Sequence, residues 1–258
     1  MLTAIDHLII AVPDLEAAVK SYQGLGFAVM PGGRHTGIGT YNALIAFQDT
    51  AYLELIAFYE PRPDHRWWAP LQQGGGLVDF CLQTDDLAGD AAALRRAGID
   101  MGEPEHRDRK RPDGFEVRWT FALARGAHRG VAPFVITDRT PRDERVPRER
   151  RHPNGVTGVA TVVVAVDDIA RVRGWYGAAL GQPGEAVRRP DLDAAGVRFA
   201  IGPHAFEFLA PAGPGGPLAA WLRTRGASPY AATLTTSGGP GGPLDEANTF
   251  GARLSLRA

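Results

Sequence analysis

One strand-and-helix pattern is written three times in this chain. It reads Ile5-Asp6-His7-Leu8-Ile9-Ile10-Ala11-Val12-Pro13-Asp14-Leu15. It returns as Leu77-Val78-Asp79-Phe80-Cys81-Leu82-Gln83-Thr84-Asp85-Asp86-Leu87, and again as Val159-Ala160-Thr161-Val162-Val163-Val164-Ala165-Val166-Asp167-Asp168-Ile169. Each copy runs into a short helix that closes near a glycine: Gly26, Gly98 and Gly181. A repeat of this length constrains the whole fold, because each unit has an apolar face that only a neighbouring unit can cover. It also supplies an internal comparison. What all copies share is scaffold, and what one copy alone carries is a candidate for function. His7 belongs to the first copy alone; the second has Asp79 there and the third Thr161.

In the first unit, residues 4–12 alternate as a strand with Leu8, Ile10 and Val12 on one face and His7, Ile9 and Ala11 on the other. Asp14 is a good N-cap, and Leu15, Ala18, Val19 and Tyr22 form the apolar stripe of a helix ended by Gly24 and Gly26. Strands are expected at 27–31, 40–47 and 51–58, which makes the unit βαβββ. The second unit reads as a strand at 77–84, a helix at 86–97 capped by Asp86, and strands near 99–103, 115–123 and 131–138. The connection 59–76, with Trp67 and Trp68, is long for a structureless link and is expected to cover a site. Residues 139–155, dense in Arg, Asp, Glu and Pro, read as a solvated linker. The third unit has a strand at 157–166, a helix at 168–180 and strands near 184–189, 195–202 and 204–210. An abbreviated fourth has a helix at 217–225 and strands at 230–237 and 252–256, with a turn-rich loop at 238–243. The expected organisation is an N-terminal pair of modules (1–138), a linker (139–155) and a C-terminal pair (156–258). The fold class is α+β, with tandem βαβββ modules, curved mixed sheets and helices outside.

Composition narrows the function. With 44% hydrophobic residues, 22% charged residues and a net charge of −1, the chain reads as a soluble globular protein without a nucleic-acid or membrane partner. No apolar run approaches the roughly 20 residues of a bilayer span, and the first residues enter a strand with no room for a signal peptide. The expected location is the cytoplasm. Cys81, the single cysteine, lies in an apolar run and is expected to be a buried inert thiol.

The stretches IDHLIIAVPDLEAA (5–18), PGGRHTGIGTYNALIAF (31–47) and AYLELIAF (51–58) resemble the vicinal oxygen chelate superfamily. That group contains glyoxalase I, extradiol dioxygenases, fosfomycin-resistance enzymes and bleomycin-binding proteins. The closest match within it is the glyoxalase-like domain subgroup. The resemblance implies that paired units form a cup for the ligand. It implies a metal held by a first-strand residue and a last-strand Glu of each unit. Carried over, the first unit supplies His7 and Glu54; the second offers Asp79, with apolar Phe134 and Val135 in place of the Glu; the third has Thr161 and Glu207. The activity implied is that of a metal-dependent lyase, isomerase or dioxygenase-like enzyme. It would chelate a small oxygen-bearing metabolite and stabilise an enolate or oxyanion. Homodimers are common in similar families.

The residues support this independently. Tyr52, Glu54 and Ile56 share one face of their strand, and Leu53, Leu55 and Ala57 the other. If the leucines pack on the helix, Glu54 points into the cup beside His7. A carboxylate buried without a partner is costly or takes up a proton. Glu54 is therefore expected to share a metal or substrate with His7, or to bond it directly. Asp79 is the third candidate ligand, and a His, Glu and Asp set with open positions suits Fe, Mn, Zn or Ni. The chain departs from a four-ligand pattern, since the second unit offers no further His and no paired Glu. In the glycine-rich stretch 32–42, Arg34 and His35 are candidates for binding a carboxylate or phosphate, His35 also for shuttling protons with Glu54, and Asn42 for orienting a ligand carbonyl. Tyr52 and Trp119 are candidate walls. His65, His106, His128, His152 and His204 are expected in solvent-facing loops. Two alternatives stand beside the metalloenzyme. One is a binding protein that sequesters a drug or metabolite without chemistry. The other is a metal-free lyase or cyclase using His7 and Glu54 as an acid–base pair.

Overall fold

The repeat is executed four times in the computed structural model, which describes residues 2–239 and 241–258. The first module is β1 (Leu2–Ala11), α1 (Leu15–Gly24), β2 (Met30–His35), β3 (Thr40–Ala46) and β4 (Tyr52–Phe58). A short α2 (Trp68–Gln72) leads into β5 (Gly76–Thr84), α3 (Leu87–Arg96), β6 (Glu105–Lys110), β7 (Glu116–Ala122) and β8 (Phe134–Asp138). After α4 (Arg142–Arg145) come β9 (Val156–Ala165), α5 (Ile169–Leu180), β10 (Glu185–Arg189), β11 (Ala194–Ile201) and β12 (His204–Pro211). The shortened fourth module is α6 (Pro217–Arg225), β13 (Ser228–Thr236), β14 (Gly242–Pro243) and β15 (Leu254–Arg257). Pro240, in the turn-rich loop before β14, lies outside the described residues. Asp14, Asp86 and Asp168 cap α1, α3 and α5 in the same way, each side chain accepting from the backbone N–H three residues on.

The first two modules close into an eight-stranded barrel, ordered β1-β4-β3-β2-β6-β7-β8-β5. The last two form an open sheet, ordered β10-β11-β12-β9-β13-β15-β14. Both are mixed: β1 runs parallel to β4 and antiparallel to β5. Leu8, Ile10, Val12, Leu53, Leu55 and Ala57 enter one apolar core that continues between the two sheets, where Phe80 meets Phe206 at 4.8 Å. The opposite faces of the same strands line the barrel interior, with Ile9, Ala11 and Ile56 in a second cluster. Among the described residues no helix is long and apolar enough to cross a membrane.

A bulge recurs in every copy. Ile5 pairs with Leu82 and His7 with Cys81, so Asp6 is an extra residue in β1. Val78, Ala160 and Tyr230 are extra at the corresponding places in β5, β9 and β13. A bulge lets the strand spend one residue without advancing its partner, which re-aims the side chains around it. Ile5 therefore stays in the outer core with Leu8 while His7 turns inward. Only the first copy places a charge on the bulge.

Several expectations are corrected. Residues 99–103 make only an isolated bridge, Met101 to Ala124; the strand is β6, whose charged side chains face a polar cavity and so leave no apolar alternation to read. β2 extends into the glycine-rich stretch, because Gly32 lies flush against its neighbour: a Cβ there would come 1.9 Å from Asn42 Oδ1. Residues 139–155 are not merely a solvated linker, since α4 delivers Arg145 and Arg142 to the barrel. Two histidines expected in solvent are structural. His152 accepts from Ala28 N–H and donates to Ala46 O, each at 3.0 Å. His204 is buried on β12 against Val159 O. His106 is exposed as expected, but on β6 and bonded to Thr120 instead of in a loop. His128 is half-buried, edge-on to Trp175, and His65 is half-buried at the cavity wall.

Candidate functional site

The barrel encloses a cavity of about 390 Å³. His7, His35, Asn42, Tyr52 and Glu54 form its polar wall, while Trp67, Trp119 and Phe134 are among its aromatic walls. Trp67 comes from the connection 59–76, which does cover the site.

The polar wall is built from the bulge outward. Asp6 is fully buried, and its oxygens accept from Arg145 Nη1 and Nη2 at 2.8 Å each and from Arg142 Nη1 at 2.5 Å. Burial works to raise the Asp6 carboxyl. The charges of Arg145 and Arg142, with hydrogen bonds from Arg145 and His7, outweigh it and hold the group well below the usual carboxylate range. Arg145 also donates to Asp138 and to Tyr52 Oη. Because Asp6 is an anion and can only accept, the 2.6 Å contact to His7 Nδ1 fixes the proton on Nδ1. Tyr52 stacks on the His7 ring at 4.6 Å and Phe134 meets it edge-on at 5.3 Å, so its plane is held as well.

His7 Nε2 then faces Glu54 Oε2 at 3.3 Å. Glu54 Oε1 accepts from Asn42 Nδ2 at 2.6 Å, which orients the carboxylate. A neutral imidazole would present a lone pair to a carboxylate oxygen here, two acceptors face to face. An electropositive species between them resolves the clash: a shared proton or a cation. The register places Tyr52 across from His7 and Glu54 across from Ile9, so the pair meets on the diagonal, not directly opposite. His35 Nε2 stands 3.7 Å from Glu54 Oε1, with Nδ1 at 2.9 Å from Thr40 Oγ1. Burial, only partly opposed by Glu54, pushes His35 down to about 4, so it is neutral at pH 7.

The other sequence candidates divide. Asn42, Tyr52 and Trp119 line the cavity. Arg34 is on the outside, its guanidinium 4.8 Å over the Tyr59 ring. Asp79 is buried, but Oδ2 takes Trp67 Nε1 at 2.9 Å and lies 2.8 Å from Arg66 Nη2. It anchors the connection that covers the cavity and does not line the cavity with His7 and Glu54. Among the described residues, the set of acidic, thiol and imidazole groups whose donor atoms all lie within 4.8 Å of one another is Asp6, His7 and Cys81. It is a poor cage for a cation: two guanidiniums already hold Asp6, and burial first, then the Asp6 charge, pushes the Cys81 thiol up. On the cavity side, His7 Nε2, Glu54 and His35 Nε2 are of a donor type that suits a divalent ion, but they do not all lie within 4.8 Å of one another. The sequence reading missed Asp6, Arg109, Arg142 and Arg145. Asp6 had a visible signal, a charge where the other copies have Val78 and Ala160. The arginines had none.

Residues 5–180 match the family model of the glyoxalase-like domain. The chain belongs to that family. No curated protein sequence matches it. This glyoxalase-like protein is similar in structure to a hypothetical protein from Staphylococcus aureus, with a TM-score of 0.73 and 14% identity over 100% of this chain and 99% of that one. It is also similar to a mutant 4-hydroxymandelate synthase from Streptomyces coelicolor, with a TM-score of 0.63 and 16% identity over 92% of this chain and 72% of that one. A third similar structure is a xylose isomerase-like TIM barrel/4-hydroxyphenylpyruvate dioxygenase fusion protein, at 0.53 and 15% over 92% of this chain and 37% of that one. At these identities the likeness is one of fold.

The second half of this glyoxalase-like protein has a different interior. Glu207 stands in the same register as Glu54, across from Val163 and diagonal to Thr161, but it is bound by Arg189 at 2.9 Å and lies 3.5 Å from Arg198. Leu218 and Trp221 of α6 pack among Val163, Ala165, Leu209 and Tyr230. Packed hydrocarbon thus covers the strand face that corresponds to the barrel cavity.

Proposed function

We propose that this glyoxalase-like protein is an enzyme that moves a proton on a small oxygen-bearing substrate, held in the N-terminal barrel against His7 and Glu54. The observation that carries this reading is the 3.3 Å approach of two acceptors, His7 Nε2 and Glu54 Oε2, in a cavity of ligand size. The imidazole is fixed in one tautomer by Asp6, and Asp6 is kept anionic by Arg145 and Arg142. His7 Nε2 takes the proton from the substrate, and Asp6 orients the ring and stabilises the imidazolium without accepting its proton. Glu54, held by Asn42 and 3.3 Å from His7 Nε2, receives that proton from the imidazolium and returns it to the neighbouring substrate atom, which leaves both groups as they began. Isomerase or lyase chemistry follows.

A second reading is favoured by His35, whose Nε2 stands 3.7 Å from the Glu54 oxygen that does not face His7. His7, Glu54 and His35 would hold a divalent metal, which would act as a Lewis acid on a substrate oxygen. Two measurements separate the readings: metal content of the purified protein, and conversion of candidate metabolites followed by mass spectrometry with and without chelator. Turnover that survives chelation but is lost in both His7→Ala and Glu54→Gln supports the acid–base pair. Turnover lost on chelation and restored by Mn or Fe supports the metal. Conversion unchanged in both folded variants refutes the assignment of the site, and a compound bound but never converted marks a sequestering protein.

A further inference from the structure

Two arginines are buried among the described residues, and they differ in one respect. Arg145 meets Asp6 and Asp138. Arg109 has no carboxylate within ion-pairing distance among the described residues, although it is only 3% exposed. Its Nη1 donates to Asn42 Oδ1 at 3.2 Å and its Nη2 to the Arg145 carbonyl at 2.9 Å, while its buried Nε has no partner. Glu54 is joined to the far side of Asn42, not to Arg109. A guanidinium taken out of water without an anion is costly. Arg109 lines the cavity, whose wall holds seven arginines against four carboxylates. Gly32 keeps this corner open, since a Cβ there would come 2.8 Å from Arg109 Nη1.

We infer that Arg109 is the anchor for an anionic group of the substrate, and that the substrate is an organic carboxylate with an apolar body. The carboxylate sits on the Arg109 fork, whose planar donors match its two oxygens. The body lies against Trp119 and Phe134, and the reacting atoms face His7 and Glu54. The inference rests on the cavity being the substrate site and adds the charge and shape of what enters it. It also moves the anion-binding role expected of Arg34 to a residue on β6.

Isothermal titration calorimetry of the full chain with phenylacetate, phenylacetamide and phenyl phosphate tests it. The three share a ring and differ in the group offered to Arg109. Phenylacetate is expected to bind at least tenfold tighter than the amide. The gap should close in Arg109→Gln, persist in Arg109→Lys, and be unchanged in Arg34→Gln. Should Arg109→Gln fail to fold, the Nε–H resonance of Arg109 in arginine-labelled native protein is the direct readout. It should shift with phenylacetate and stay still with phenylacetamide. Equal affinity for acid and amide, no binding of either anion, a gap that survives in folded Arg109→Gln, or an unmoved resonance would each overturn the inference. Tighter binding of phenyl phosphate than of phenylacetate would overturn the carboxylate class. These readouts are equilibrium binding, so they stand apart from the turnover and metal assays of the catalytic proposal, and either can fail alone.

Discussion

Replacing Arg145 with methionine removes the cation that organises the site from beneath. Arg145 is 3% exposed and gives Asp6 two hydrogen bonds of 2.8 Å, so solvent screens little of the interaction. Breaking a buried pair by removing one partner costs about 3–5 kcal/mol. Arg142 remains at 2.5 Å from Asp6, which places the expected loss near the lower end, about 3 kcal/mol. At roughly 2–4 °C per kcal/mol for a chain of this size, the melting midpoint at pH 7 should fall by roughly 6–12 °C. The pH dependence gives a sharper test. In the native protein the Asp6 pKa is depressed, so its stabilisation is present above the unfolded value and is lost as pH falls through the lower folded value. In Arg145→Met, burial is opposed only by Arg142 and the His7 hydrogen bond, and the Asp6 pKa rises. The cost of the poorly paired charge is then felt above that value and relieved below it. The gap between the two proteins, followed by circular dichroism melts, should therefore narrow from pH 7 to pH 4. Asp6→Asn/Arg145→Met together should recover part of the loss, because no buried charge is left over. A midpoint within about 2 °C of native at pH 7, or a gap indifferent to pH, would show that the pair does not carry this part of the barrel.

His35 is neutral in the fold, with its pKa pushed down to about 4, against about 6.5 unfolded. Stability is therefore fully present above about pH 6.5 and falls towards pH 4, as the unfolded chain takes up the proton first. The loss assigned to His35 at pH 5 is about 2 kcal/mol. Urea titrations at pH 7.5 and pH 5 should show the difference shrinking by about that amount in His35→Gln, and an identical difference in both proteins would refute the assignment. Asp79→Asn should loosen the cover of the cavity without disturbing the barrel. Losing charge-assisted bonds to Trp67 and Arg66 predicts about tenfold faster amide exchange in residues around α2, with the barrel strands unchanged. Exchange that stays the same there would mean that Asp79 does not hold the cover.

What the amino-acid sequence determined by itself is local and periodic. The repeat sets the module, the aspartate caps start its helices, and period-two alternation turns His7 and Glu54 to the same side as Ile9 and Ile56. Those are properties of neighbouring residues, and physics reads them over a few ångströms of chain. What only the tertiary structure decided is charge placement. Arg145 stands in a segment whose composition is that of an exposed linker, and Arg109 in a strand of alternating charges. Nothing nearby along the chain distinguishes either from a solvated arginine. Each is buried because barrel closure brings it to Asp6 or to Asn42, residues 139 and 67 positions away. Closure also decides that the second barrel half offers Asp79 to Arg66 and Trp67 instead of to the cavity. The free energy of burying a charge depends on which partners arrive, and partners that distant are specified by the fold.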